Sequence, residues 1–406
     1  EVKNRALWLL VTGPTAVLLS AFWLLPFYPS PLRDDGYDIA DYTNVHPNYG
    51  SLNDFRAFLR EAHQRGLRVI TELVVNHTSD QHPWFQRARE AKPGSSARNF
   101  YVWSDTPEKY QETRIIFKDF EPSNWAWDPV DKCYYWHRFY AHQPDLNWHN
   151  PAMRAEIHDM MNWWLDRGIA GFRMDVIDLI GKDIDAGITV NGPELHAHLR
   201  EMAEATMQGR DVLTVGEAWS ATPETALLYC GRDRGELSMI FQFSHITRFW
   251  GTDRGKWAPE PFDLRELKAV FDRWQAALAE DGWNSLFWSN HDLPRAVSAY
   301  GDEGAWRERS AKMLATVLHM MKGTPYVYQG EEIGMTNAGF TEIGAAGIRR
   351  PVNRQATASR NARTGVSAKV AKKTGLRTAT LIPRIASIAA APVSRSSPGM
   401  TVKENA

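Results

Sequence analysis

Hydrophobic positions along the chain follow two alternating rhythms. Continuous apolar runs at Ala21–Pro26, Leu67–Val75, Gly171–Val176, Val212–Glu217, Ser238–Phe243, Asn284–Ser289 and Pro325–Gln329 predict buried strands. Between them, apolar residues recur at helical spacing. In Ser51–Gln64 they fall at Leu52, Phe55, Phe58, Leu59 and Ala62, with Ser51 placed to cap the start and Gly66 to stop the end. Pro151–Arg167, Pro193–Met207, Thr222–Leu228, Leu264–Ala279 and Ala305–Met320 read as further helices. Strand and helix in alternation predict an α/β fold with a parallel sheet. Seven strands follow residue 21, so closure into a (β/α)8 TIM barrel needs an eighth before it.

Two stretches break the rhythm. From Thr78 to about Asn147, aromatics, prolines and charges mix without a period, which predicts a subdomain inserted in the barrel. From Thr341 no aromatic residue occurs, and from Arg349 onward 12 Lys or Arg face a single acid, Glu404. Such a segment buries too little apolar area to order itself. The expected division is therefore 1–77 as the first part of the barrel, 78–147 as the insertion, 148–340 as the rest of the barrel, and 341–406 as a disordered basic tail.

Composition narrows the function classes. The net charge of −1 implies no polyanionic partner, so neither nucleic acid nor a membrane surface is expected. Cys133 and Cys230 form no disulfide framework and no metal-ligand spacing, which suits a reducing, cytoplasmic setting. The apolar stretch Leu7–Leu25 follows Lys3 and Arg5 as a leader would, but Gly13 and Pro14 interrupt it. Its end reads as a barrel strand. A chain that opens on Glu1 rather than Met reads as a fragment.

Candidate chemistry sits at strand ends. In GFRMDV, Arg173 and Asp175 lie two apart and share one face of a strand, so the cation is expected to keep the carboxylate ionised. Val212–Glu217 ends in a second acid, and Asp292 comes just past the run that starts at Ser285. Singly, an acid after a strand reads as a helix N-cap or turn residue. Three at three strand ends predict one carboxylate cluster at a barrel rim. No phosphate-cradling or dinucleotide fingerprint follows a strand.

With these acids go GYDIADY, VVNHTSD, QPDLNW, VGEAW, SNHDLPR and GTPYVYQGEEIGM. On these motifs the chain resembles glycoside hydrolase family 13, the α-amylase superfamily, from about residue 21 to 338. The resemblance implies a (β/α)8 barrel with a subdomain inserted after the third strand. Residues 21–147, with Glu72 where most relatives have Asp, are most similar to the trehalose synthase branch. Residues 151–338 are most similar to the glucan 1,6-α-glucosidase and oligo-1,6-glucosidase branch. The first βα unit and the C-terminal β-sandwich of the family find no match and are missing or replaced. So is the Asp-rich loop that holds structural calcium in some relatives; no metal and no cofactor is expected here.

The resemblance further implies retention by double displacement, with Asp175 as nucleophile, Glu217 as general acid and base, and Asp292 as a third carboxylate gripping the sugar hydroxyls. In this scheme Glu217 needs a pKa raised by a less polar pocket. Tyr37, Asp38, His77, Arg173, His291 and Arg295 are the implied substrate-binding residues. Val176 resembles the α-1,6-acting members, a discrimination worth roughly 1–3 kcal/mol. Lys182 would line the leaving-group subsite or stand as a solvated loop lysine. Asn76 matches an asparagine that amylases give to calcium. The implied activity is that of an exo-acting retaining α-glucosidase on α-1,6- and α-1,4-linked gluco-oligosaccharides. The alternatives are trehalose synthase, which isomerises maltose, and an inactive fragment or non-catalytic relative. The partner is a small oligosaccharide; the oligomeric state is not legible.

Overall fold

The computed structural model describes residues 20–118, 120–251 and 259–338. The expectations for the tail, the missing sandwich and the strand before residue 21 fall outside the described residues. All seven expected parallel strands are present. They are β1 (Ala21–Leu24), β2 (Arg68–Leu73), β6 (Gly171–Met174), β7 (Leu213–Glu217), β8 (Met239–Phe241), β9 (Ser285–Phe287) and β10 (Thr324–Tyr326). The first five form one sheet in the order β1-β2-β6-β7-β8, and β9 pairs with β10. A parallel bridge from Ile240 to Asn284 links the two groups. The described strands therefore run round in sequence order, as in a (β/α)8 barrel.

Helices between the strands obey local rules. In α1 (Leu52–Gln64), Ser51 and Asp54 cap each other's backbone in a capping box, and Phe55, Phe58, Leu59 and Ala62 are buried. Gly66, at φ 71, takes the left-handed turn that ends it. Asn150 caps α3 (Pro151–Leu165) and Thr222 caps α5 (Pro223–Cys230), each with proline in the first turn. Of the rest, α4 (Leu195–Thr206), α7 (Leu264–Ala277) and α9 (Arg307–Met320) cover the sheet, while α6 (Ser244–Thr247) and α8 (Ala296–Tyr300) are single turns.

The stretch after β2 is built separately. It holds α2 (Pro83–Glu90) and an antiparallel sheet of β3 (Trp103–Ser104), β4 (Trp125–Asp128) and β5 (Cys133–Trp136), in the order β3-β5-β4. Bridges from His77 to Asp145 and from Tyr101 to Leu146 close its base against the end of β2. A broad apolar core runs from Phe27 through Trp164 to Trp274 on the helix side of the sheet. Gly171 marks the tightest strand contact. At φ +138, a Cβ there would lie 1.8 Å from the Leu213 carbonyl oxygen across the β6–β7 pair. The first letter of GFRMDV is thus fixed by backbone approach.

Candidate active site

Barrel register brings the acids together. β2 pairs with β6 so that Glu72 sits beside Arg173, and β6 pairs with β7 so that Arg173 sits beside Val215, two residues before Glu217. Alternate residues share a face. Glu72, Arg173, Asp175 and Glu217 therefore meet at the C-terminal ends of three adjacent strands, all buried. Arg173 is the hub. Its Nη1 donates to Asp175 Oδ1 at 2.7 Å and also to Glu72, and its Nη2 pairs with Glu217 Oε2 at 2.7 Å.

One guanidinium thus faces three carboxylates. Burial raises the pKa of Asp175 well above the ordinary value; Arg173 pulls it down, and Glu217 and Glu72 push it up again. Burial lifts Glu72 to about 7 against the pull of Arg173 and a 2.8 Å bond from Trp23 Nε1. Arg173 therefore acts on Asp175 in the expected direction, toward the ionised form, against burial and the two neighbouring acids. One cation beside desolvated carboxylates offsets only part of the cost of burying them, which leaves Asp175 and Glu72 above their ordinary values.

Other contacts fix each acid in place. Glu217 accepts from Trp219 Nε1 at 2.9 Å and from the Val176 N–H at 3.1 Å. Val176 adopts φ 35, a costly conformation for a β-branched residue, directly after Asp175. Tyr37 stacks on His291 with ring centres 5.5 Å apart, and its hydroxyl lies 2.7 Å from His291 Nε2. His291 in turn lies 3.3 Å from Asp292, whose side chain is more exposed than the others. Charges on Glu72, Arg173, Asp175 and Asp292 all act on the Tyr37 phenol. That phenol links the third strand-end acid to the first cluster.

Three expected residues behave differently. Asp38 is fully buried, but its carboxylate accepts from Ser30 Oγ at 2.7 Å and from the backbone N–H groups of Arg33 and Asp34 at 3.0 and 3.3 Å. It shapes the loop that carries Tyr37. The Arg295 guanidinium bonds the Gln329 carbonyl and lies 4.7 Å over the Tyr328 ring, toward the segment after β10. Lys182 is buried, which removes the reading of a solvated loop lysine. Its ammonium bonds Asn76 Oδ1 at 2.8 Å and pairs with Asp145 at 3.2 Å.

The Asn76 oxygen that matches a calcium ligand of amylases therefore already holds a cation, which Asp145 shares, and this donor set does not fit a second one. His77 stands beside them, 3.3 Å from Gln143 Nε2, with its pKa lowered by burial. Two members of the cluster escaped sequence reading. Glu72 lies inside an apolar run, and Trp23 reads as ordinary core in β1. Only the cross-strand register reveals either one.

The acid cluster on one arginine lies at the C-terminal strand ends of a parallel barrel, the face on which such barrels carry their sites. The family model described as alpha amylase, catalytic domain, matches residues 17–381, and the chain belongs to this family, glycoside hydrolase family 13. It is 53% identical over 328 residues to the palatinase of Erwinia rhapontici, covering 80% of this chain and 59% of that protein. It is 50% identical over 327 residues to the glucan 1,6-alpha-glucosidase of Streptococcus dysgalactiae subsp. equisimilis, covering 80% and 60%. Among solved structures, Bacillus licheniformis trehalose-6-phosphate hydrolase matches with a TM-score of 0.76 and 39% identity, over 90% of this chain and 65% of that one. The trehalulose synthase of Pseudomonas mesoacidophila MX-45 matches with a TM-score of 0.72 and 37% identity, over 79% and 59%.

The chain spans about three fifths of the length of the curated relatives it matches. An alignment of 328 residues exceeds either side of the junction near residue 150, so the palatinase match runs across it. Among the described residues, no helix is long and apolar enough to cross a membrane.

Proposed function

We propose that this chain carries the catalytic barrel of an exo-acting retaining α-glucosidase, acting on short α-1,6-linked and also α-1,4-linked gluco-oligosaccharides. The observation that supports this most is Arg173 holding Asp175 and Glu217 on its two terminal nitrogens. Two carboxylates on one planar fork suit the spacing of roughly 5–5.5 Å that retention requires. Asp175 attacks the anomeric carbon while Glu217 gives its proton to the departing glycosidic oxygen. That breaks the C–O bond and leaves a glucosyl ester on Asp175. Glu217 then takes a proton from water, which displaces Asp175 and restores the starting state.

Asp292, His291 and His77 surround the same glucose as hydroxyl partners. Tyr37, stacked on His291, closes one side. The α-1,6 preference rests on Val176 and on the names of the most similar relatives. Trp219, bonded to Glu217 at 2.9 Å and stacked on Phe243 with ring centres 3.6 Å apart, fixes the orientation of the acid. Both cysteines are free and buried, which fits a reducing, cytoplasmic setting.

A second reading is favoured by the trehalulose synthase likeness and by the resemblance of residues 21–147 to trehalose synthase. In it the glucosyl group returns to its own aglycone and not to water. Product analysis on isomaltose, maltose and trehalose, with Asp175→Asn as control, separates the two. Glucose alone from isomaltose supports hydrolysis. Trehalose from maltose overturns it in favour of isomerisation. An Asp175→Asn variant at full rate overturns both.

A further inference from the structure

Away from the acid cluster, two histidines and a glutamate converge where the Trp148–Asn150 turn meets the first turn of α4. His149 Nδ1 lies 3.5 Å from Glu194 Oε2, and His198 Nε2 lies 3.7 Å from the same oxygen. The three donor atoms all lie within 4.8 Å of one another. Donors bound at about 2.0–2.1 Å around a tetrahedral zinc ion lie roughly 3.4 Å apart. Two of the three separations are already close to that. Glu194 and His198 stand four apart in sequence, so the opening turn of α4 sets them on one face.

Two details point to a ligand and not to an ordinary His–Glu pair. His198 is 3% exposed, and its Nε2 has no hydrogen-bond partner. A buried ring nitrogen without a partner is costly unless something fills the gap. His149 Nε2 lies 3.2 Å from the Lys182 carbonyl oxygen. A carbonyl only accepts, so the Nε2–H donates to it, and Nδ1 is the ring nitrogen that faces Glu194. A histidine that donates its far N–H to a carbonyl is the usual second contact of a metal-binding imidazole.

We infer that His149, Glu194 and His198 form a binding site for a divalent cation of the zinc class, with water in the fourth position. Two imidazoles and one carboxylate suit zinc over calcium or magnesium, which prefer oxygen. The fourth position faces solvent, because the side chains of His149 and Glu194 are 46% and 56% exposed. Binding ties the end of the inserted stretch to α4. Through the Lys182 backbone it also braces the ammonium that holds Asn76 and Asp145 beside His77. The inference does not depend on the proposed glucosidase activity.

The test is calorimetric titration of the EDTA-stripped chain with zinc chloride. The site predicts one zinc per chain, with affinity weakened at least roughly tenfold by His149→Gln and by Glu194→Gln. Both positions are exposed enough to substitute without loss of fold, which circular dichroism in EDTA checks. Cobalt(II) in place of zinc should give the intense visible absorption of a tetrahedral complex, lost in His198→Asn. Absence of stoichiometric zinc binding would overturn the inference. So would equal affinity in the two glutamine variants, or a weak octahedral cobalt spectrum.

Discussion

Replacing Arg173 with methionine removes the one cation among three buried carboxylates while keeping a similar side-chain length. Arg173 is 1% exposed and bonds Asp175, Glu217 and Glu72. Breaking a buried ion pair by removing one partner costs about 3–5 kcal/mol, because the remaining charge is left unpaired in a poor solvent. Glu72 already titrates at about 7 with the guanidinium present, and Asp175 is raised well above its ordinary range. Without Arg173 both rise further.

The sign follows from proton linkage. A carboxyl whose folded pKa exceeds its unfolded one binds protons more tightly when folded. Its stabilising contribution is full below the unfolded pKa and is lost as pH climbs through the folded value. Arg173→Met therefore destabilises more at pH 8 than at pH 5. At pH 8 the deficit should reach about 3–5 kcal/mol, a fall in Tm of roughly 10 °C at 2–4 °C per kcal/mol. At pH 5, where the acids take up protons, less than half of it should remain. Thermal and urea unfolding of both proteins at the two pH values measure this. A deficit independent of pH, or below about 1 kcal/mol at pH 8, would show that Arg173 does not balance the cluster's charge.

Other outcomes follow from the same contacts. Glu217→Gln should lower kcat/KM on isomaltose by roughly 10²–10⁴, yet far less on p-nitrophenyl α-glucoside, because kcat/KM reports formation of the glucosyl ester and that leaving group needs no proton; equal losses in kcat/KM would remove Glu217 from the acid role. Gly171→Ala places a Cβ against the Leu213 carbonyl, so its unfolding free energy should fall by more than roughly 4 kcal/mol, and a near-neutral result would contradict the close β6–β7 approach. Lys182→Met leaves Asp145 buried without its cation and should cost about 3–5 kcal/mol in urea unfolding at neutral pH; a surface-like change under about 0.5 kcal/mol would contradict the buried pairing.

Much of the barrel was legible because its signals are local. Ser51, Phe55 and Gly66 write the start, face and end of α1 within one short segment. Apolar runs bounded by turn residues predict all seven parallel strands among the described residues to within a few residues, and none of the three short antiparallel ones. The site was legible only where it follows strand ends, at Asp175, Glu217 and Asp292. Glu72 was not, because a carboxylate inside ITELVV becomes a site residue only when β2 is known to pair with β6. Asp38 and Arg295 were named from motifs. Motifs suggest sugar contacts, and the structure adds the local partners that hold these side chains, the 30–34 loop for Asp38 and Gln329 for Arg295. Lys182 reads as a loop lysine until the inserted stretch folds Asp145 back against the end of β2. The Glu72 and Lys182 contacts join residues distant in sequence, which no local pattern reports.

The most direct measurement is covalent trapping. 5-Fluoro-α-D-glucosyl fluoride forms a glucosyl ester quickly and releases it slowly, so the intermediate accumulates for peptide mass spectrometry. The account predicts stoichiometric inactivation with the label on Asp175, and no label in Asp175→Asn. A label on Glu217 or Asp292, or steady hydrolysis of isomaltose with no residue labelled, would contradict it.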